Sequence, residues 1–222
     1  AQNIEGVGAD GPLVVWGHSQ GGHAAMHVSQ RWQDLAPDLD LVGVAAGAPP
    51  SQVDLLSTFL QGSDFQGYIL MAAAGLATSY SELDLEAVIN VDYHYLQDEL
   101  ENGCTGHIMD LVNPILFSDL LTVPDIFNIP EWKTRLTEND TNQLPNQTPV
   151  VILHGDQDEQ IPVISSAFLF SQLCGMADHA SLERLVYPGA THSSAIVEYF
   201  DDLIVWLEAR VDSEPAIDQC DS

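Results

Sequence analysis

Short apolar runs alternate with helical patterns at both ends of the chain. Each run is four to six residues long. Runs of this length are typical of strands that are buried on both faces. Strands that alternate with helices predict an α/β fold, with a mostly parallel sheet and helices on both faces. The predicted strands cover residues 13–16, 41–46, 149–153 and 182–187, and the predicted helices of this part cover 20–34, 163–173 and 194–211.

The middle of the chain has a different composition. From about residue 51 to residue 146 the pattern is amphipathic and helical, and Pro114, Pro124 and Pro130 interrupt it. Because proline ends or kinks a helix, several short helices are expected here. We predict that residues 1–50 and 147–222 form the sheet core, and that residues 51–146 form an inserted helical cap, or lid.

The first predicted strand leads into Gly17-His18-Ser19-Gln20-Gly21, which has the pattern G-x-S-x-G. A serine between a strand and a helix in this pattern is typical of a nucleophile elbow, a tight turn that exposes the serine hydroxyl. Gly17 and Gly21 are expected to leave room for the strand and the helix to approach. The turn places the main-chain N–H of Gln20 at the helix N-terminus, where it can stabilise an oxyanion.

A serine hydroxyl attacks a carbonyl efficiently only when a base accepts its proton, and histidine suits this role near neutral pH. His192 lies between the last predicted strand and the last predicted helix, and we predict that it is this base. Asp158, in the loop after the third strand, is the predicted carboxylate that orients the base, and Asp156 is the less favoured alternative. The order Ser19, Asp158, His192 is that of α/β-hydrolases, and each residue follows the carboxyl end of a strand.

The acidic composition limits the partners. The chain has 33 acidic residues and 5 Lys or Arg, which gives a formal net charge of −28 at pH 7. Such a surface repels nucleic acids and anionic membrane faces, so neither is predicted as a main partner. No apolar run reaches the roughly 18–20 residues of a spanning helix, so no integral membrane segment is predicted. Salt would screen the self-repulsion, and we therefore expect halotolerance.

A metal site is the main alternative use of the eight histidines. His23 and His27 lie four residues apart on one face of a predicted helix, which is a spacing found in zinc sites. They are not part of an H-E-x-x-H sequence, and no third ligand follows at a suitable distance. We therefore predict no metal and no cofactor.

Four stretches of the chain resemble the secretory lipase family of α/β-hydrolases. The resemblance implies an esterase or lipase with Ser19 as nucleophile, Asp158 as orienting acid and His192 as base. It also implies a helical lid over an acyl-binding tunnel. The candidates for substrate contact are His18, Tyr68 and Leu76. The stretches that carry the resemblance are residues 16–22, 74–83, 154–162 and 187–192.

The three cysteines are an odd number. They allow free thiols, or one internal disulfide plus one cysteine whose partner lies elsewhere. The resemblance to secretory lipases implies a disulfide between Cys174 and Cys220. It also implies that Cys104 pairs with a cysteine upstream of residue 1.

The chain departs from the family at its N-terminus. Secretory lipases have several strands and a second oxyanion donor before the nucleophile, whereas 18 residues precede Ser19 here. We therefore expect this chain to be the C-terminal portion of a longer or nicked protein, without the N-terminal strands. An upstream fragment linked through Cys104 is the expected partner, and the first strand is expected to form an aggregation-prone edge.

These observations favour a secreted or periplasmic serine carboxylic ester hydrolase. Its expected substrates are small-molecule or lipid esters with apolar acyl groups, and it would act through an acyl-enzyme. One alternative is a serine peptidase of the prolyl-oligopeptidase type, which shares the elbow and the acid loop. The other is a non-catalytic fragment that needs an upstream half to complete the site.

Overall fold

The computed structural model describes residues 11–126 and 129–220. Residues 1–10, which begin the predicted core segment 1–50, lie outside the described part. The chain divides into two compact units. The first unit contains the residues up to Gln52 and those from Thr141 onward, and the second runs from Val53 to Asp140.

A parallel sheet forms the centre of the first unit. Its described strands are β1 (Leu13–His18), β2 (Leu41–Gly47), β3 (Val150–Gly155) and β4 (Leu182–Tyr187), in the spatial order β1-β2-β3-β4. Each pair of neighbours is parallel. Strand β3 is buried along its whole length, and β2 is buried except at one half-buried position. This burial on both faces explains why the sequence of these strands is apolar except at His154.

Alternate residues of β3 pack into separate apolar clusters on the two faces of the sheet. Val150 and Ile152 belong to one cluster, together with residues of the helices α1 (Gln20–Leu35) and α9 (Val163–Cys174), and Val151 and Leu153 belong to the other. This division follows from the two-residue period of a strand. The helices are α1 (Gln20–Leu35), α2 (Val53–Leu60), α3 (Gly67–Ser79), α4 (Leu85–Val88), α5 (Leu96–Asn102), α6 (Thr105–Val112), α7 (Phe117–Leu120), α8 (Pro130–Glu138), α9 (Val163–Cys174), α10 (Ala195–Glu198) and α11 (Phe200–Val211), with a 3₁₀ turn at Val91–Tyr93.

The prediction of one continuous helix over residues 194–211 was wrong. The segment forms two helices, α10 and α11, which meet at Tyr199. Tyr199 has φ −96° and ψ 0°, and its side chain is fully buried. The break therefore turns a large aromatic side chain toward the sheet.

The C-terminal tail covers the outer edge of β4. The main-chain N–H of Gln219 donates to the carbonyl oxygen of Leu182 over 2.9 Å, and the Gln219 side chain accepts from the N–H of Arg184 over 2.9 Å. A disulfide between Cys174 and Cys220 joins the tail to the end of α9. Hydrogen bonds and a covalent link thus hold the tail along this edge.

The second unit is helical and has its own buried core, which includes Leu70, Val112, Leu120 and Trp132. It is shorter than the predicted insertion. The side-chain amide of Gln30 donates to carbonyl oxygens at residues 141 and 144 over 2.6 and 2.8 Å, which holds the returning chain in the first unit. Among the described residues, no helix combines the length and the hydrophobicity needed to cross a membrane.

Candidate active site

Ser19 occupies a strained turn between β1 and α1. Its φ of 58° and ψ of −122° lie in a region that residues other than glycine rarely adopt. The main-chain N–H of Ser19 donates to the carbonyl oxygen of Gly47 over 2.9 Å, and its own carbonyl oxygen accepts from the N–H of His23 over 3.0 Å. The sheet on one side and the helix on the other therefore hold the serine in this conformation.

Two glycines make the turn possible, but one of them is not the glycine that the sequence pattern indicates. A Cβ atom on Gly17 would lie 2.1 Å from the carbonyl oxygen of Gly21, so the prediction for Gly17 is confirmed. Apart from its chain neighbours and its own helix, no described atom would lie within 4 Å of a Cβ atom on Gly21, so the prediction that this position needs a glycine for space was wrong. The close approach is at Gly22, where a Cβ atom would lie 2.4 Å from the carbonyl oxygen of Gly47.

Gln20 is the first residue of α1. The first N–H groups of a helix have no carbonyl partner within the helix, and they carry its positive dipole end. The N–H of Gln20 therefore suits the oxyanion role that the sequence predicts, which stays a prediction.

The structure brings Asp158 and His192 into contact. Oδ2 of Asp158 lies 2.7 Å from Nδ1 of His192, and both residues are buried. Oδ1 of Asp158 accepts from the main-chain N–H groups of Gln160 and Ile161 over 2.9 and 2.8 Å. Asp156 faces elsewhere, because its Oδ1 accepts from the N–H of Gly189 over 2.7 Å.

These contacts keep Asp158 ionised. Burial alone would raise the pKa of the Asp158 carboxyl. Hydrogen bonds from the side chains of His154 and His192 and from the main chain of Ile161 outweigh burial, and they hold the pKa far below its usual range. A carboxylate that stays charged fixes the proton of His192 on Nδ1 and leaves Nε2 as the basic nitrogen.

The loop that carries His192 has a second attachment. The main-chain N–H of His192 donates to Oε2 of Glu159 over 3.1 Å. Burial acts to raise the pKa of Glu159, but the main-chain N–H groups of Glu159 itself and of His192 lower it overall. The residue next to the candidate acid thus anchors the backbone of the candidate base.

Sequence reasoning missed the role of His154. Its Nε2 lies 2.9 Å from the carbonyl oxygen of Ile161 and 3.3 Å from Oδ2 of Asp158, and the side chain is fully buried. Because both neighbours are acceptors, this nitrogen carries a hydrogen. The only sequence signal is its position at the end of β3, four residues before Asp158.

Sequence reasoning also missed the partner of His18. Nδ1 of His18 lies 2.8 Å from the hydroxyl oxygen of Tyr199, and the His18 ring centroid lies 4.6 Å from that of His192. The structure therefore places the neighbour of Ser19 beside the candidate base. Burial and the nearby His192 lower the pKa of His18 to about 4.

The remaining candidate residues lie in the second unit or on α1. Tyr68 and Leu76 belong to the second unit, where Tyr68 stacks on Phe65 with ring centroids 6.1 Å apart and Leu76 packs against that unit's core. Their contact with substrate stays a prediction. The rings of His23 and His27 contact each other edge to face at 4.6 Å.

One group of possible metal ligands lies near the C-terminus. Ligand atoms of His179, Asp218 and Cys220 lie within 4.8 Å of one another. The sulfur of Cys220 is in the disulfide with Cys174, so it cannot bind a metal as a thiolate. Cys104 is exposed, and no described cysteine is bonded to it.

These residues are of the types that acyl transfer by a serine requires. It combines a serine in a strained turn with a histidine whose Nδ1 faces a buried, ionised carboxylate. A helix N-terminus follows the serine directly. Proton acceptance by histidine and oxyanion stabilisation by N–H groups are the two requirements of serine catalysis that these residues can meet.

Comparisons with known proteins agree with this chemistry. A family model described as secretory lipase matches residues 1–219. Lipase 4 of Candida albicans is 25% identical over 230 residues, which cover 98% of this chain and 49% of that protein. Lipase A of Moesziomyces aphidis is 26% identical over 207 residues, which cover 87% of this chain and 44% of that protein. The chain spans about half the length of the curated relatives it matches.

Solved structures share the fold. Candida antarctica lipase A matches 100% of this chain and 53% of its own, with a TM-score of 0.88 and 21% identity. A ligand-bound form of the rice cell wall degrading esterase LipA from Xanthomonas oryzae matches 92% of this chain and 59% of its own, with a TM-score of 0.73 and 14% identity. The predicted α/β-hydrolase fold class is therefore confirmed.

Proposed function

Because this chain belongs to the secretory lipase family, we propose that it forms part of a serine carboxylic ester hydrolase. Ser19 is the nucleophile, His192 the general base and acid, and Asp158 the residue that orients the base. The observation that carries this proposal is the buried contact of 2.7 Å between Nδ1 of His192 and Oδ2 of Asp158. Lipase and esterase are also the names of the relatives and of the similar structures, which supports an ester with an apolar acyl group as the substrate.

In the first half of the reaction, the Ser19 oxygen forms a bond to the ester carbonyl carbon, and its proton moves to Nε2 of His192. Asp158 stabilises the imidazolium that results. The negative charge moves to the former carbonyl oxygen, beside the N–H of Gln20. The bond to the alcohol oxygen then breaks, and His192 gives its proton to the departing alcohol.

In the second half, a water molecule attacks the acyl-enzyme. His192 accepts a proton from this water as the new bond forms. The bond between the acyl carbon and the Ser19 oxygen breaks, and His192 returns the proton to Ser19. The carboxylic acid leaves, and the site is restored.

A second oxyanion donor belongs to this mechanism, and we propose that an upstream segment of the same protein supplies it. One donor typically contributes about a hundredfold to a thousandfold in rate. Strand β1 ends the described sheet, and Leu13 and Trp16 on it are 39% and 42% exposed. An apolar groove of about 320 Å³ lies alongside, lined by Leu13, Val28, Trp32, Leu35, Leu39 and Leu41 among others. An apolar edge that no described strand covers favours pairing with a further strand.

We propose secretion, or export to the periplasm, on the basis of the disulfide and the family. Disulfides persist mainly in oxidising compartments, and the structure contains the bond between Cys174 and Cys220. Exposed Cys104 is the proposed attachment point for the upstream segment.

Tyr68 and Leu76 are the proposed contacts for the acyl chain. Contact with substrate suits His18 less well, because Tyr199 already occupies its Nδ1.

A fluorophosphonate probe tests the function. The purified protein is labelled, and its intact mass is measured by mass spectrometry with and without reduction. We expect one adduct on the protein, no adduct on Ser19→Ala, and a normal adduct on Ser171→Ala, which removes an exposed hydroxyl from α9. A companion mass released on reduction would reveal a disulfide-linked segment.

The substrate class is tested with two chromogenic substrates. We expect hydrolysis of p-nitrophenyl butyrate and none of a dipeptidyl p-nitroanilide. Preferential cleavage of the amide would support the peptidase of the prolyl-oligopeptidase type instead. A folded protein with no adduct and no hydrolysis would contradict the proposal for this chain alone and would support the fragment that needs an upstream half.

A further inference from the structure

We propose that His18 is a positioning residue for His192, held in place by the hydroxyl of Tyr199. The inference rests on the proposed function, because it assigns a task to a neighbour of the proposed base. The rings of His18 and His192 are neighbours, with a centroid distance of 4.6 Å and a tilted interplanar angle of 50°. Its Nδ1 lies 2.8 Å from the Tyr199 hydroxyl, across 181 residues of sequence.

The contacts around His18 favour one of its tautomers. The side chain of Trp16 lies close enough to Tyr199 to offset in part the burial that raises the pKa of the Tyr199 hydroxyl. An indole N–H can only donate, so a Tyr199 oxygen that faces it is left to donate its own hydrogen to Nδ1 of His18. We assign this direction to the contact, and His18 then carries its hydrogen on Nε2. That nitrogen is buried and, among the described residues, makes no well-aligned hydrogen bond, although the main chain of His192 lies close enough to influence it.

The fit around this pair is tight. A Cβ atom on Gly47 would lie 2.4 Å from the Tyr199 hydroxyl and 2.7 Å from Nδ1 of His18. Tyr199 itself is fully buried at the junction of α10 and α11. The end of β2 therefore leaves room for the hydrogen bond only because it has no side chain at this position.

An uncharged ring suits this position. Because burial and His192 lower the pKa of His18 to about 4, His18 is neutral at pH 7. His192 becomes positively charged during the proposed reaction, and a second charge 4.6 Å away would oppose that step. A neutral ring instead offers a fixed surface that restricts rotation of the His192 imidazole. Nδ1 of His192 then stays on Asp158, and Nε2 stays available to Ser19.

The main test removes one hydroxyl. Tyr199→Phe keeps the aromatic ring and deletes the bond to His18, and Tyr187→Phe is the matched control. Tyr187 lies next to Tyr199, with ring centroids 5.8 Å apart, and its hydroxyl donates to Asp202 over 2.8 Å. We expect Tyr199→Phe to lower kcat about tenfold with little change in KM, because the loss affects geometry and not substrate affinity. Tyr187→Phe should leave kcat within about twofold of the parent.

A spectroscopic readout does not depend on activity. In ¹⁵N-labelled protein at pH 7, we expect His18 to show an unprotonated Nδ1 and a protonated Nε2. Tyr199→Phe should alter this pattern and broaden or shift the Nδ1–H signal of His192, whereas Tyr187→Phe should not. A doubly protonated His18 at pH 7, or unchanged His192 signals with unchanged kcat in Tyr199→Phe, would overturn the proposal.

A second pair of variants covers the case in which Tyr199→Phe does not fold. His18→Asn keeps an acceptor near the position of Nδ1, whereas His18→Leu removes it. Greater activity and a sharper His192 signal in His18→Asn than in His18→Leu are expected, and equal behaviour of the two would contradict the role of the Tyr199 contact. If the parent protein neither hydrolyses esters nor reacts with the probe, the proposed function fails, while the tautomer measurement still decides the contact.

Discussion

Oδ2 of Asp158 lies 3.3 Å from Nε2 of His154, and neither side chain has any exposed surface. The same oxygen lies 2.7 Å from Nδ1 of His192. One carboxylate oxygen therefore faces two imidazoles, of which one is buried at the end of β3 and the other lies in the loop after β4. Because His154 also donates to the carbonyl of Ile161, it ties the acid loop to the sheet. This connection fixes the position of the charged Asp158 side chain before a substrate binds.

Replacing Asp158 by Asn should abolish most activity. The amide keeps the size of the side chain but loses the charge and one acceptor, so His192 is no longer held in the tautomer with Nε2 free. We expect kcat on p-nitrophenyl butyrate to fall about 10³- to 10⁴-fold. Asp156→Asn is the control, since its amide oxygen can still accept from the N–H of Gly189. Equal losses in the two variants would argue against Asp158 as the orienting acid.

The stability of the protein should depend on Asp158 at low pH. The folded-state pKa of Asp158 lies well below the unfolded value of about 3.9. A group with a lowered pKa stabilises the folded state above the unfolded pKa, and this contribution is lost as pH falls toward the folded pKa. Between pH 5 and pH 2.5, urea unfolding should therefore show a smaller loss of stability in Asp158→Asn than in the parent. Asp156→Asn should follow the parent curve, and parallel curves for all three proteins would refute this linkage.

The glycines around Ser19 should differ sharply in their tolerance to alanine. Gly17→Ala places a methyl group 2.1 Å from a main-chain oxygen, so we expect a loss of more than about 3 kcal/mol or failure to fold. Gly21→Ala has open space and lies inside α1, so its unfolding free energy should stay within about 1 kcal/mol of the parent. Thermal or urea unfolding measures both variants. A stable Gly17→Ala would contradict the close approach of strand and helix.

The disulfide of the C-terminal tail should contribute strongly to stability. It joins residues 46 positions apart, and closing a loop of this size is typically worth about 2–4 kcal/mol. Cys174→Ser and Cys220→Ser should each lower the melting temperature, and reducing agent should have no further effect on them. In the 222-residue chain without an attached upstream segment, Cys104→Ser changes an exposed thiol, so this variant is the control and should melt like the parent. A parent protein that is insensitive to reduction would contradict this expectation.

Salt should stabilise the protein. A net charge of −28 on 222 residues creates repulsion that the folded state concentrates in a smaller volume. Sodium chloride shortens the Debye length from about 10 Å at 0.1 M to about 3 Å at 1 M, which weakens this repulsion. We expect the melting temperature to rise over this range, as differential scanning fluorimetry can show. A falling melting temperature would mean that other effects of salt dominate.

The sequence predicts the strands and the order of the candidate site residues because these depend on local pattern. Strand β4 was predicted with its observed ends, and the other strands were predicted within about two residues. The choice of Asp158 over Asp156 agrees with the contact to His192, since a turn back toward the sheet needs a few residues of loop. Apolar runs and turn residues carry all of this information.

Long-range contacts could not be predicted in this way. The bond between His18 and Tyr199 joins residues 181 positions apart, and the break between α10 and α11 falls at the buried Tyr199 and not at a proline or glycine. The need for glycine at position 22 depends on the carbonyl of Gly47, which another strand supplies. Periodicity does not report such neighbours, because they are set by the packing of elements against one another.

The two outer edges of the described sheet differ. The tail of residues 218–220 covers β4, while β1, which leads directly to Ser19, ends the strand order on the other side. A polypeptide that pairs with β1 would bind the folded form alone, so mass action would add RT ln(1 + [L]/Kd) to the free energy of unfolding, or about 2.7 kcal/mol at a hundred times Kd. The melting temperature of this protein would then be a function of the partner's concentration, and a titration of thermal stability would measure the affinity of the β1 edge without any substrate.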